Sequence, residues 1–405
     1  MIRKKLILVL SLLLVLFIII SGCTKRRNLT GDNWSGVKPL IAVDSVFTMG
    51  YSYTTEGKVT GAEQHLITGA DNGISAIAVV RFSGLPEPDT MTVIGQPTLK
   101  LVASRRSALG RTPLALSFYK LAQNWVADST ANIDDANISP IDIADITVQD
   151  TIQTAGDTLT VNVPISVLQN WQTAEVEGFN LVIKAINGGW LELKSNEISN
   201  GALLSFKYQL TGSTDTLEYS QRPIIDSYRI TGEQNTLSEN VWKLKDLLPQ
   251  RMFFRFGLPD AIFKDMNNEP LDTTDRKRMT INKAELVLFV KNNPYFSTSK
   301  CFFYPYHVKV DTLASPAVLT DSNLESIVHS LTTGTIVESD SVRIDITAIT
   351  QAYTSGDKAK NGIVVRSAQE MQNFGNLEFW HYSDAPAGKK PYVRIAYTPP
   401  YLKGE

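Results

Sequence analysis

An all-β chain folded as two tandem antiparallel β-sandwiches is what this sequence predicts, on three observations. Apolar and polar residues alternate over short runs, sustained amphipathic helices are absent, and one ordered set of runs occurs twice. Alternation puts successive side chains on opposite faces of an extended strand, so each strand has one face to bury. Leu99, Leu101 and Ala103 alternate in this way. So do Leu159, Val161 and Val163, then Leu181 and Ile183, then Leu204, Phe206 and Tyr208. Gly, Pro, Asn and Asp interrupt the runs, as turns between antiparallel strands require. Short helical turns are predicted only at 165–171, 322–331 and 346–353.

The duplication is read from paired runs in the same order. Ala78-Val79-Val80-Arg81-Phe82 before Gly84-Leu85-Pro86 is answered by Met252-Phe253-Phe254-Arg255-Phe256 before Gly257-Leu258-Pro259. Pro97–Leu101 is answered by Ala284–Leu288, and Val161-Asn162-Val163 by Ile344-Asp345-Ile346. Each of the latter leads to an aromatic after a short turn, Trp171 and Tyr353. Gly178–Leu181 is aligned with Gly362–Val365, Leu191–Leu193 with Leu377–Phe379, and Leu204–Tyr208 with Val393–Tyr397. The spacing grows from 174 residues (Arg81 to Arg255) to 189 (Tyr208 to Tyr397), as expected when loops accept insertions and strands do not. The division predicted is a first sandwich over 41–210, a linker at 211–222 where Thr, Gly, Ser and Asp accumulate, and a second sandwich over 223–400. Many short strands per unit suggest a jelly-roll-like form.

The N-terminus reads as a leader. Arg3, Lys4 and Lys5 precede an apolar run at 6–20, and Ile20-Ser21-Gly22-Cys23 follows. A basic start, a short apolar stretch and small residues at a cleavage point make a secretory signal over 1–22. The run is shorter than the roughly 20 residues needed to cross a bilayer. Lys25, Arg26 and Arg27 speak for the other reading, a retained signal anchor, because positive charge resists translocation. The Ile-Ser-Gly-Cys ending resembles the lipobox of bacterial lipoproteins. The resemblance implies cleavage before Cys23, a diacylglycerol on its thiol, and a lipidated tether over 23–40. It also implies an outer-membrane or cell-surface location in a two-membrane cell.

Across the body of the chain, the Arg-Phe-x-Leu-Pro strand, the Ala-x-Leu-x-Leu strand, Ile344-Asp345-Ile346-Thr347 with its aromatic turn, Asn361–Val365 and a last strand ending in Tyr397 follow one order. Together they resemble the DNRLRE domain family, extracellular jelly rolls related to carbohydrate-binding modules. The second copy fits that pattern better. The first departs from it at Pro164 and in a long acidic insertion at 126–158.

Of 39 basic side chains, three leave with the leader, against 41 acidic ones. A mildly acidic protein lacks the clustered Lys and Arg that nucleic acid demands. With Cys23 acylated, Cys301 has no partner in the chain and is expected as a buried thiol. Arg81 and Arg255 sit inside apolar runs, where a guanidinium must be paired or hydrogen-bonded. Recurrence at one place in both copies favours a structural tie over a ligand grip. Trp171 and Tyr353 lie four residues after Val167 and Ile349, on the core side of a helical turn. Sugar rings stack on exposed aromatics. Trp190 after Asn187-Gly188-Gly189, Trp380 next to Phe379, and Tyr295-Phe296 on a loop are the ligand candidates. Asp134, Asp135, Asp142 and Asp145 crowd one loop, and Asp265, Asn267 and Glu269 another. Both carry oxygens that a structural calcium takes, without the spacing of an EF-hand. No cofactor is required by any motif. The four histidines lack metal-ligand spacing, and no nucleophile elbow or phosphate loop occurs. The expectation is a membrane-anchored protein that binds polysaccharide without transforming it. The alternatives are a structural or adhesive surface protein with a protein partner and, behind that, a polysaccharide lyase or glycosidase.

Overall fold

The computed structural model describes residues 39–400, apart from 57–60, 72, 108–113, 149–156, 172–177, 199, 294–300, 311–314, 328–331 and 335–339. Cys23, Tyr295 and Phe296 lie outside the described residues. Among those described, the chain forms two antiparallel strand networks, of 12 and 13 strands, one for each sandwich.

In the first sandwich a small sheet runs Leu217–Gln221, Leu203–Leu210, Met91–Arg106, Asp157–Asn162. The larger sheet holds Gly189–Lys194, His65–Asp71, Ile74–Phe82, Phe179–Ile186 and Ala115–Leu121. Met91–Arg106 is long enough to serve both: its first part lies beside Leu203–Leu210, and Ala103–Arg106 turn the corner onto Gly189–Lys194. The second sandwich repeats this plan. Leu40–Asp44, Tyr392–Thr398, Thr280–Asn292 and Ser341–Asp345 make the small sheet. Asn376–Phe379, Trp242–Lys245, Gln250–Phe256, Ile363–Ser367 and Cys301–Val308 make the large one.

Register carries the duplication down to single residues. Leu99 stands opposite Val161 and Leu204, and Leu286 stands opposite Ile344 and Val393. Leu193 faces Ala103 as Phe379 faces Val290. One alignment needs correction. Leu181 faces Val80, and Ile363, not Val365, faces the matching Phe254. A two-residue slip keeps every side chain on its face, so alternation alone could not reveal it.

The domain division also changes. The segment expected as a linker contains the strand Leu217–Gln221, and Ile225–Thr231 after it pairs with Ile74–Phe82. Both complete the first sandwich. Leu40–Asp44 and Phe47–Thr54, expected to begin the first sandwich, pair instead with Tyr392–Thr398 and Gln250–Phe256 in the second. The two strand pairs are counterparts: Leu40 faces Tyr397 as Leu217 faces Tyr208. Each sandwich is thus closed by the pair of consecutive strands that precedes the other one's body, one strand for each sheet.

Of the helical turns, Ile165–Gln169 and Thr347–Ser355 form. Of 322–331, residues 328–331 lie outside those described, and the rest hold a 3₁₀ turn, Asp321–Asn323, running into a short strand, Leu324–Glu325. Thr320 and Asn323 start that turn with a capping box, and the extended backbone of Leu324 ends it. A further helix, Thr273–Arg278, starts where Asp272 accepts from the Asp275 N–H.

Cores lie between the sheets of each sandwich, and a loop covers the outer face of each large sheet. Trp125 and Ile133 cover Val79, Leu121 and Val182 in the first. Leu319 and Leu324 cover Tyr51, Phe253 and Val364 in the second. The seam is apolar as well: Ile67, Ile74, Trp190 and Tyr228 join one continuous core with Leu247, Leu248, Met371 and Phe374.

Candidate functional site

A cleft of about 680 Å³ opens where this seam reaches the surface. Three segments build most of it, and Asn235, Pro249 and Arg251 complete it. The end of the first exchanged strand pair and the stretch after it bring Thr55, Glu56, Glu63 and Gln64. The covering loop of the second sandwich brings Thr320 and Asp321. The end of Ile363–Ser367 and the turn after it bring Arg366, Glu370, Met371 and Gln372.

Arg251 forms the floor. It is 4% exposed, so its charge must be met inside the protein. Its Nε and Nη2 donate to the two carboxylate oxygens of Glu370, both at 2.8 Å, and Nη1 donates to Asp321 at 2.5 Å. A fork-to-fork pair of this kind fixes direction as well as charge. It holds the Arg251 guanidinium well above its usual pKa, the hydrogen bonds and charge of Glu370 outweighing burial. Arg366 reaches the same Asp321 at 3.8 Å and lays its guanidinium 4.7 Å from the Tyr306 ring centre. Hydroxyls and amides of Thr55, Gln64, Asn235, Thr320 and Gln372 line the rest. The cleft therefore offers donors and acceptors at set positions, beside an apolar part formed by Pro249, Val318 and Met371.

Behind it the seam is rich in carboxylates. Asp246 is fully enclosed, and burial pushes its carboxyl up to about 7, with the charges of Glu370 and Glu192 acting in the same direction. A Cβ on Gly375 would collide with that carboxylate, so only glycine fits there. Asp226 is raised to about 6, again mainly by burial, although its Oδ2 accepts from the Asn196 N–H at 2.6 Å. The Glu192 Oε1 accepts from the Phe374 N–H across the seam.

The residues singled out from sequence fall elsewhere. Trp190 is 8% exposed and stacks on Phe374, ring centres 5.1 Å apart, so it packs the seam and offers no open face to a ligand. Phe379 lies in the core, and Trp380 belongs to none of the core clusters. It is half-buried, and the Lys291 ammonium, held by Glu378 at 2.9 Å, sits 5.2 Å from its ring centre. Arg81 donates to the Asn180 side chain and to the Trp125 carbonyl, both at 2.8 Å, and the Trp125 Nε1 donates to the same Asn180 oxygen. Arg255 donates to the Asn361 carbonyl at 3.1 Å. Both arginines thus tie a strand to a neighbouring loop or strand. The Tyr353 hydroxyl donates to the Gly362 carbonyl at 2.7 Å and lies 3.0 Å from His307 Nδ1, whereas Trp171 lies at the edge of its core beside Phe179. Among the described residues no cluster of three or more His, Cys, Asp or Glu has the arrangement of a metal site. Asp134 and Asp265 instead accept from backbone N–H groups of their own turns. Cys301 is buried, which pushes its thiol up to about 12.

Sequence reading missed Arg251, Arg366, Asp321 and Glu370. Gln250-Arg251-Met252 held the one usable signal, a second arginine in an otherwise apolar strand. Compared with known proteins, the chain matches no family model, and no curated protein matches it.

Proposed function

We propose that this chain is a lipid-anchored extracytoplasmic protein that binds polysaccharide in the seam cleft without breaking it. The anchor rests on the leader and on Ile20-Ser21-Gly22-Cys23. The binding reading rests on one observation, the fixed polar lining of the cleft around Arg251. Hydroxyl-rich ligands are held by ion-paired side chains of this sort, which accept and donate without rearranging. Of the four carboxylates that line the cleft, Glu370 and Asp321 are taken up by Arg251, and Glu63 accepts from the Gly61 N–H. That arrangement suits holding a glycan better than attacking one.

Arrays of polysaccharides probed with the mature chain test the ligand. Binding should fall at least tenfold in Arg366→Ala and Asp321→Ala, which alter the mouth of the cleft and spare the core. A negative array with folded protein sinks the reading. Metabolic labelling with an alkynyl fatty acid tests the anchor: label should enter the parent and be absent from Cys23→Ala.

A structural role is the second reading, and the exchanged strand pairs favour it. They join two sandwiches over a continuous apolar seam, which makes a stiff spacer.

A further inference from the structure

The first sandwich holds a separate pocket of about 270 Å³ that shares no lining residue with the seam cleft. Trp171, Phe179, Ile141 and Val167 form its apolar wall, and Lys120 and Asp142 stand at its rim. The duplication provides a control within the same molecule. In the second sandwich the corresponding aromatic is Tyr353, whose hydroxyl is fully engaged by the Gly362 carbonyl and by His307. His307 faces Ile363 in register, and in the first sandwich the same place, opposite Leu181, is taken by Lys120.

The replacement of His307 and Tyr353 by Lys120 and Trp171 changes what is satisfied. Trp171 is 8% exposed, and its Nε1 is buried with no hydrogen-bond partner. A buried donor left unmade costs about 1–3 kcal/mol, so each such group calls for an explanation. Lys120 reaches only the Asn170 carbonyl, at 3.3 Å. One copy has closed this corner with an internal hydrogen bond. The other leaves an ammonium and the edge of a mostly buried indole beside open space, with the indole N–H unmet behind it.

We infer that the Trp171 pocket is a second binding site, sized for one sugar ring. The ring's C–H face would lie on the apolar wall, its oxygens would accept from Lys120, and a turn of the Trp171 ring would bring the buried Nε1 to one of them. Asp142 would accept from a hydroxyl at the rim. Pockets for drug-sized ligands run from about 300 Å³ upward, so this one suits something smaller. The ligand class rests on the carbohydrate reading above; the site does not depend on the seam cleft.

The test uses the full mature chain, ¹⁵N-labelled and titrated separately with glucose, galactose, N-acetylglucosamine and glucuronic acid. The Trp171 indole resonance is assigned by its loss in Trp171→Phe. At least one sugar should move that resonance saturably, with affinity at least tenfold weaker in Lys120→Ala and unchanged in Tyr353→Phe. An indole resonance that stays in place with all four sugars overturns the proposal, as does a shift that Lys120→Ala leaves untouched. If polysaccharide binds in the cleft while Trp171 stays silent, only this inference falls. If Trp171 responds while no polysaccharide binds, the cleft reading falls and this one stands.

Discussion

Arg251 is the side chain on which the seam cleft most depends. Its partner Glu370 is only 14% exposed at the side chain, whereas Asp321 is 71% exposed. The Glu370 pair therefore carries the energy, and the Asp321 contact adds little because water screens it. Arg251→Ala leaves Glu370 buried and unpaired, a change that costs about 3–5 kcal/mol. Urea denaturation should show that loss, and Arg251→Ala combined with Glu370→Ala should lose less than the two single changes summed. Asp246 gives a second expectation, with a definite sign. In an unfolded chain an aspartate titrates near ~3.9, whereas here burial raises it to about 7. Between those values the folded protein keeps a proton that the unfolded chain has released. The contribution of Asp246 to stability is therefore full below the lower value and declines as pH rises through the window. Asp226, raised to about 6, acts in the same sense over a narrower span. In thermal melts, Asp246→Asn should gain on the parent steadily from about pH 4 to pH 7 and hold its lead above, by an amount on the order of 1–4 kcal/mol. Local pattern does not reveal any of this chemistry. Arg251, Asp321 and Glu370 are far apart in sequence, and nothing near Trp190 announces that Phe374 will cover it.

Strands were the legible elements, because each has one buried face and alternation records it directly. Leu99, Leu101, Val161, Leu204 and Phe206, all picked from that pattern, are all in the first core. What stayed hidden is which strand lies beside which. Leu40–Asp44 has the same alternation whether it pairs with Leu203–Leu210 or with Tyr392–Thr398, and the duplication makes both partners chemically suitable. Turn chemistry misled in the opposite direction, since Thr, Gly, Ser and Asp at 211–216 mark a turn between strands and not a boundary between domains. The exchange has a testable result. Deleting the strand pair Leu40–Thr54 should spare the first sandwich, whose own strands remain paired, and open the second. Limited proteolysis with mass mapping should then find new cuts beyond residue 242, far from the deletion. Cuts confined to the first sandwich would mean that the two strands belong there.

The whole molecule should melt as one body. Trp190 on Phe374, and Tyr228 donating to the Met371 carbonyl, fasten the seam from inside. Exchanged strand pairs then make each sandwich incomplete without the other's neighbour. Calorimetry should give a single transition whose measured enthalpy equals the van't Hoff value; two separable transitions would show the sandwiches to be independent. The exchange also sets an order in time. Leu40 and Tyr397 lie side by side although nearly the entire sequence separates them. During synthesis, Leu40–Asp44 emerges early and has no mate until Tyr392–Thr398 arrives, and contacts so distant are slow to form. The newborn chain must keep a sticky, unpaired ribbon apart from its neighbours until its tail has been delivered, so an escort that shields bare strands should hasten its maturation.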